Sequence, residues 1–247
     1  MDRSDPRYHA YVQILKEELI PAMGCTEPIA LAYAGAVARR TLGELPDRVT
    51  VQASGSIIKN VKSVIVPNTD HLKGIDAAVS AGIVAGDPDK KLEVIASVTP
   101  EQIQAMKQFM DEVPIEIEHI DKGCTFDIVV IVHHKDEYAK VRIANYHTNI
   151  VLIEKNGEIL EQAKVSGDSE DGLTDRNLLD MEHIWDFAMT ADIDDVKALL
   201  DQQVAFNVAI AEEGIKNDYG ANIGKVLLAM DGDNVRVKAK AMAAAGS

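Results

Sequence analysis

The strongest constraint on the fold is a change in hydrophobic period along the chain. In the middle, short runs rich in β-branched residues, such as Arg48 to Ala53 and Asp127 to His133, have the composition of strands. Before and after this middle, apolar residues recur every three to four positions, which is the spacing of an amphipathic helix. A strand-rich middle between two helical ends predicts an α+β protein.

The predicted architecture is a discontinuous helical domain, formed by both terminal segments, with an inserted α/β domain. Residues 1–45 and 172–247 are expected to form the helical domain, and residues 46–171 the inserted one. The segment from Gly167 to Gly172 has the composition of a linker. An inserted domain of roughly 125 residues is long enough to fold alone.

Capping and turn residues set the expected ends of several elements. Asp5-Pro6 predicts a helix start, and Thr26 predicts the cap of a second helix that ends at Gly43. Asn156-Gly157 predicts a hairpin turn. The other expected elements are helices at Asp70 to Ala85 and Pro100 to Met110, and strands at Lys62 to Val66, Leu92 to Ala96, Ile115 to His119, Ala139 to Asn145 and Asn149 to Glu154.

The charge balance narrows the classes of partner. The chain has 25 basic and 40 acidic side chains and a net charge of -15. Such a surface repels phosphate backbones and anionic lipid, which argues against nucleic acid and membranes as partners. The longest apolar run, Ile29 to Ala38, is about half the length of a membrane-spanning helix. Two cysteines and a charged start without an apolar export signal predict a cytoplasmic, reduced protein.

The most informative stretch for chemistry is PAMGCTEP, from Pro21 to Pro28, where Cys25 directly precedes a predicted helix. Free backbone N–H groups and the positive end of the helix dipole favour an anion there, so we expect the pKa of the Cys25 thiol to be lowered. A thiolate at this position can act as a base, a nucleophile or a metal ligand, and Glu27 can position an amine or relay a proton. A buried cysteine in a turn is the alternative interpretation.

Five stretches carry a resemblance to a known family. The segment PAMGCTEPIALAYAGA resembles the opening of L-cysteine desulfidases and of the related iron-sulfur L-serine dehydratase alpha chain. The resemblance continues, in order, in GSIIKNVKSVIVPNT (Gly55 to Thr69), AGIVAGDP (Ala81 to Pro88), ANYHTNIV (Ala144 to Val151) and EEGIKNDYGANIGKVL (Glu212 to Leu227).

The resemblance implies a lyase that performs β-elimination on L-cysteine or L-serine, giving pyruvate, ammonia and sulfide or water. It assigns Cys25 a catalytic role as acid or base, with Glu27 assisting. The family uses a [4Fe-4S] cluster, held by three further cysteines in a carboxyl-terminal half that this sequence lacks. We therefore expect an amino-terminal portion that needs the missing carboxyl-terminal half or a partner chain. We expect no cluster or other metal bound to this chain alone, and no activity from it.

The same resemblance suggests a set of contacts to a small amino-acid substrate. The candidates are Thr26, Lys59, Asn60, Asn145, His147, Thr148 and Asn149. In the segment from Asn145 to Asn149, an amide, an imidazole and a hydroxyl can converge on the carboxylate and amine of an amino acid. A tight turn whose side chains satisfy their own backbone is the alternative interpretation.

Two other functions stay open at this point. The chain can be a non-catalytic module that binds L-serine or L-cysteine as a regulator, because the cluster ligands are missing. It can also be a cysteine hydrolase built on Cys25 and His147. Homo-oligomerisation is a further expectation, since truncation would leave apolar surface exposed on the terminal helical segments.

Overall fold

The computed structural model describes residues 1–22, 24–163, 174–218 and 221–246. In chain order, the helices and strands are α1 (Pro6–Glu18), α2 (Thr26–Leu42), β1 (Arg48–Ala53), α3 (Gly55–Val61), α4 (Gly74–Ala85), α5 (Pro100–Glu112), β2 (Ile115–His119), β3 (Asp127–His134), β4 (Glu137–Ala144), β5 (Ile150–Lys155), β6 (Glu158–Gln162), α6 (Met181–Thr190), α7 (Lys197–Lys216), α8 (Ile223–Asp231) and α9 (Val235–Ala245). The mixed α+β class is therefore confirmed.

The chain forms two compact units. One, the helical unit, consists of residues 1–21 and 170–247, and the other, the inserted unit, consists of residues 22–169. This division confirms a discontinuous helical part with an α/β insertion. The linker predicted from Gly167 to Gly172 lies outside the described residues.

Polar contacts join the two terminal segments within the helical unit. Asp5 caps α1 by accepting the backbone N–H of Arg7 at 2.9 Å, as the Asp5-Pro6 signal predicts. From α1, Glu17 pairs with Arg176 at 2.6 Å, and the Tyr8 hydroxyl donates to Asp195 at 2.7 Å. The Tyr8 ring also packs edge-on against a phenylalanine of α6. Residues far apart in sequence thus form one unit.

A six-stranded sheet forms the frame of the inserted unit. Its strand order is β2-β1-β3-β4-β5-β6. Strands β1 and β2 are parallel, whereas every other neighbouring pair is antiparallel. The parallel pair needs a long crossover, which α3, α4 and α5 supply. The Asn156-Gly157 turn joins β5 to β6, which confirms the predicted hairpin.

Helices α2 and α4 cross at very short range in the inserted unit. A Cβ atom added to Gly82 of α4 would lie 1.8 Å from the carbonyl oxygen of Ala32 in α2. Likewise, a Cβ atom added to Gly35 of α2 would lie 2.8 Å from the carbonyl oxygen of Val79 in α4. Only glycine permits this approach, so the crossing places small residues where two backbones meet.

Helix α2 belongs to the inserted unit, although the predicted domain boundary lies at residues 45/46. It packs on β3 and β4 as well as on α4, and residues 28–38 are buried throughout. The observed units divide at Pro21 instead. A helix that is apolar on all sides gives no periodic sign of which core it joins, which explains the difference.

Two predicted strands are wrong. The segment from Leu92 to Ala96 continues a 3-10 helix, Pro88–Glu93, whose start is capped by Asp87. Within Lys62 to Val66, pairing is limited to one bridge between Ile65 and Lys73. Both segments contain β-branched and apolar residues. In the first, the Asp87-Pro88 start signal favours a helical turn, and in the second, the short loop between Ile65 and Lys73 prevents a longer strand ladder. None of the described helices has the length and apolar character needed to cross a membrane.

Candidate active site

The candidate site begins at the turn that leads into α2. Gly24 has a φ of 109°, a conformation that side chains disfavour, and it directs the chain into the helix. Cys25 then occupies the capping position, so the predicted cap at Thr26 is displaced by one residue. This turn sets the thiol and the first-turn side chains at the entrance of the helix.

Glu27 is held by two donors, one on each carboxylate oxygen. The Cys25 thiol donates to Oε2 at 2.9 Å, and the Asn60 amide donates to Oε1 at 3.2 Å. Asn60 lies on α3, some thirty residues along the chain. The carboxylate is therefore fixed between the start of α2 and a neighbouring helix of the same unit.

Thr26 and His147 form the second pair of the site. A hydrogen bond of 2.8 Å joins Thr26 Oγ1 to His147 Nε2. The imidazole lies in the turn between β4 and β5 and packs against the Phe126 ring, with centroids 4.5 Å apart and planes at 62°. Three separate segments of the sequence thus meet at the entrance of α2.

The expected activation of Cys25 as a thiolate is wrong. Desolvation of the sulfur, followed by its hydrogen bond to the Glu27 carboxylate, raises the thiol pKa to about 11. A hydrogen bond from the backbone N–H of Glu27 lowers the thiol pKa, but this effect is smaller than the two that raise it. Cys25 as a residue remains exposed, so the thiol is reachable although its sulfur is partly desolvated. The thiol is therefore protonated at neutral pH.

The pKa values of the neighbouring Glu27 and His147 are lowered, opposite to that of the thiol. The pKa of Glu27 is lowered, chiefly by the thiol that donates to it, with Asn60 contributing. Burial lowers the pKa of His147, and the Glu27 charge only partly offsets this effect. At neutral pH the site therefore contains a protonated thiol, an ionised carboxylate and a neutral imidazole. One proton donor stands beside two acceptors.

Among the described residues, Lys59, Thr148 and Asn149 make no side-chain hydrogen bond to this group. The Asn149 amide donates to the carbonyl of Ala144 at 2.9 Å, which matches the alternative of a turn that satisfies its own backbone. Asn145 has a φ of 69°, and its N–H donates to the carbonyl of Phe126. Among the described residues, the side chains of Lys59 and Thr148 make no hydrogen bond or ion pair. The group that assembles is Cys25, Thr26, Glu27, Asn60 and His147.

Phe126 is the site neighbour that sequence reasoning missed. It directly precedes β3, and the antiparallel register pairs Asp127 with Ala144, just before the β4–β5 turn. That register brings the ring against His147. The pairing of the two predicted strands was the signal that could have located it.

The pairing needed by a cysteine hydrolase is not formed. His147 bonds to Thr26, and the thiol of Cys25 donates to Glu27 instead of to the imidazole. A thiol whose pKa is raised is also poorly suited to nucleophilic attack at neutral pH. The geometry therefore gives this hypothesis no support.

The residues of this chain do not fit the ligand set of a [4Fe-4S] cluster. Within the described ranges, no group of three or more His, Cys, Asp or Glu side chains is placed to hold a metal ion. The sequence contains only Cys25 and Cys124, both free thiols.

Sequence comparison identifies relatives along the whole chain. The chain is 54% identical over 250 residues to a UPF0597 protein of Desulfitobacterium hafniense, covering 100% of this chain and 57% of that relative. It is 42% identical to the UPF0597 protein of Lachnoclostridium phytofermentans, covering 97% of this chain and 57% of the relative. The UPF0597 protein of Treponema denticola is 40% identical, with 98% and 56% covered. No protein-family profile matches the sequence. By sequence the chain therefore belongs to the UPF0597 family, of whose curated members it spans little more than half the length.

Proposed function

We propose that this chain supplies the proton-transfer groups of a lyase that eliminates sulfide or water from the β-carbon of L-cysteine or L-serine. The observation that carries the proposal is the convergence at the start of α2. Three stretches that resemble the desulfidase family, MGCTEP, GSIIKN and ANYHTN, each contribute a side chain to this site. A structural turn alone would not require polar residues from three distant segments to meet.

Protonation states decide the roles of the two catalytic candidates. Glu27 is ionised and acts as the base that removes the α-proton of the amino acid. The released electron pair forms the Cα–Cβ double bond while the bond from Cβ to sulfur or oxygen breaks. Cys25 holds a proton and delivers it to the leaving group. The 2-aminoacrylate product then hydrolyses to pyruvate and ammonia.

The 2.9 Å contact between Cys25 and Glu27 closes the proton cycle. After elimination, Glu27 carries the former α-proton and Cys25 is a thiolate. Because the thiol pKa is raised and the carboxyl pKa is lowered, the proton returns from Glu27 to Cys25 downhill. The site regains its resting state without a further reactant.

The remaining side chains position these two groups and the substrate. Asn60 orients the Glu27 carboxylate, and it stays outside the proton cycle. The neutral imidazole of His147, fixed by Thr26 and Phe126, offers a hydrogen-bond partner for the substrate without adding charge. These contacts leave the catalytic roles to Cys25 and Glu27.

The test uses the full-length polypeptide that contains this chain, purified without oxygen and supplied with L-cysteine or L-serine. Formation of pyruvate reports both reactions. Cys25→Ala is expected to lower turnover at least about a hundredfold, the usual scale of a lost acid-base group. Cys124→Ala, which removes the other thiol of the chain, is the matched control and should keep the wild-type rate. Wild-type turnover by Cys25→Ala would show that the thiol has no catalytic role.

The leaving group offers a sharper measurement. Hydroxide is a much stronger base than hydrosulfide, so its departure depends more on an acid. Cys25→Ala should therefore reduce elimination from L-serine more than elimination from L-cysteine. Equal losses for both substrates would contradict the assignment of Cys25 as the acid.

A regulatory amino-acid-binding module is the second candidate. One observation favours it, namely that all five assembled residues belong to the inserted unit, which has its own core. Such a site can bind an amino acid without the rest of the polypeptide. Calorimetric binding of L-serine or L-cysteine to this chain, together with no elimination by the full-length polypeptide, would favour the module over the lyase.

A further inference from the structure

The middle of α7 is exposed on every side although it is largely apolar. All ten residues from 201 to 210, DQQVAFNVAI, are exposed. Val204 and Val208 lie on one side of the helix at 60% and 45% exposure, and Phe206 and Ile210 lie on another at 54% and 50%. A helix that is apolar around its circumference is characteristic of a protein interior.

Helices α6 and α8 of the same unit add two outward apolar stripes. On α6, Met181, Trp185 and Met189 recur every four residues and are 81%, 68% and 66% exposed. On α8, the stripe consists of Ile223, Val226 and Met230, at 57%, 54% and 77% exposure. Isolated exposed apolar residues are ordinary, but exposed apolar stripes on three helices of one unit mark an interaction surface.

Helices α7 and α8 approach α9 through small residues. A Cβ atom on Gly214 of α7 would lie 2.0 Å from the carbonyl oxygen of Ala245 in α9, and one on Gly224 of α8 would lie 2.6 Å from that of Ala241. At these two crossings the backbones meet at glycine and alanine, while Val204, Phe206 and Val226 on α7 and α8 remain exposed. Covering these exposed apolar side chains would remove further apolar surface from water and stabilise the unit.

We propose that the exposed apolar surface of α6, α7 and α8, here called the open helical face, is the docking surface for the rest of the UPF0597 polypeptide. The chain spans only 57% of the length of its curated relatives, and what remains of those relatives is as long as a whole domain. The open helical face lies in the helical unit, whereas the large buried cluster lies in the inserted unit. The remaining segment covers this face and buries the middle of α7. Docking at this face does not depend on whether the candidate site catalyses an elimination.

The test compares hydrogen exchange in this 247-residue chain with exchange in the full-length polypeptide that contains it. Backbone amides in the segment 201–210 should exchange at least about a hundredfold more slowly in the full-length protein, because burial suppresses local opening. Equal rates in both would overturn the proposal. Protection of the segment in the isolated chain would also overturn it, and light scattering would then tell whether a second copy provides the cover.

A pair of substitutions in the full-length protein localises the effect. Phe206→Glu should raise the exchange rate of the segment 201–210 at least about tenfold, since a charge opposes burial of the helix. Leu160→Glu is the matched control, because Leu160 is exposed to the same degree, 55% against 54%, but lies on β6 of the inserted unit. It should leave exchange in α7 unchanged. The wild-type comparison stands even if Phe206→Glu fails to fold.

Discussion

The inserted unit and the helical unit use the same packing device with different results. In both, glycine lets one helix approach the backbone of another, as Gly82 does at Ala32 and Gly214 does at Ala245. In the inserted unit the paired helices then lie on a sheet, and large apolar residues fill the space between them. In the described part of the helical unit no sheet covers the paired helices, and large side chains such as Phe206 and Val226 are exposed.

The difference shows that close helix contact does not by itself make a core. Glycine and alanine bury little apolar area, so they bring backbones together without much hydrophobic stabilisation. The inserted unit gains its stability from residues such as Ile29, Leu31 and Val130, which are fully buried in one large cluster. Among its described residues, the helical unit has a much smaller buried cluster, around Tyr8, Tyr11 and Phe187.

The largest expected effect comes from adding a methyl group at the point where α2 and α4 cross. Gly82→Ala would place a Cβ atom 1.8 Å from the carbonyl oxygen of Ala32, so α2 and α4 must separate. We expect a loss of at least about 3 kcal/mol in the free energy of unfolding, measured by urea denaturation. Gly55→Ala is the control, because its new methyl group meets only the exposed His119 side chain and should cost little. Similar stabilities of both variants would contradict a rigid contact between α2 and α4.

A second measurement contrasts the two units directly in this chain. Amides of α2, whose residues 28–38 are buried, should exchange hydrogen at least about a hundredfold more slowly than those of residues 201–210 in α7. Mass spectrometry of peptides from each helix provides the rates. Comparable protection of the two helices would remove the distinction between a closed and an open unit.

A third prediction concerns the Cys25 thiol in the inserted unit. In a Cys124→Ala background, alkylation of Cys25 should rise with pH along a curve centred near the raised pKa of about 11. Because the folded-state pKa lies above the ordinary value of 9.0, this site stabilises the fold below that value. The stabilisation is lost as pH rises toward 11.

The matched variant for this measurement is Glu27→Gln. Removing the carboxylate eliminates the second cause of the shift, so the curve should move to lower pH while desolvation keeps it above the ordinary range. An unchanged curve would mean that Glu27 does not hold the thiol proton. A wild-type curve centred below the ordinary value would restore the thiolate interpretation.

The smallest expected effect lies in the core of the helical unit. Tyr8 is 2% exposed, and its hydroxyl donates to Asp195 and accepts the backbone N–H of Asp192. Tyr8→Phe removes both bonds and should lower the free energy of unfolding by about 1–2 kcal/mol. Tyr33→Phe is the control, since this buried tyrosine makes no hydroxyl hydrogen bond among the described residues. Equal costs for both would assign the effect to ring packing alone.

Much of the fold could be predicted from local patterns. Strands β1, β2 and β3 follow from their β-branched runs, and the first helix follows from Asp5-Pro6. The failure at Leu92 to Ala96 arose because apolar composition cannot distinguish a strand from a short helix. The place of α2 also could not be predicted, because its membership in a unit depends on long-range packing with β3 and β4.

The candidate site was predictable in its residue types but not in its pairings. Cys25 and Glu27 are neighbours along the chain, so their contact is local. The bond from Thr26 to His147 depends on sheet register across more than a hundred residues, which no local pattern specifies. The expected low thiol pKa failed for a physical reason, since the dipole argument omitted the adjacent carboxylate and the desolvation of the sulfur.

The uninterrupted pairing of β3 with β4 over eight residues sets the position of the turn that carries His147. One residue inserted into β4 would advance the following turn by about 3.3 Å and reverse the faces of the side chains beyond it. That displacement exceeds the 2.8 Å bond to Thr26, so the imidazole would lose its partner. The same insertion at the Asn156-Gly157 turn leaves the register of β3 and β4 intact, so length variation belongs at that end of the sheet.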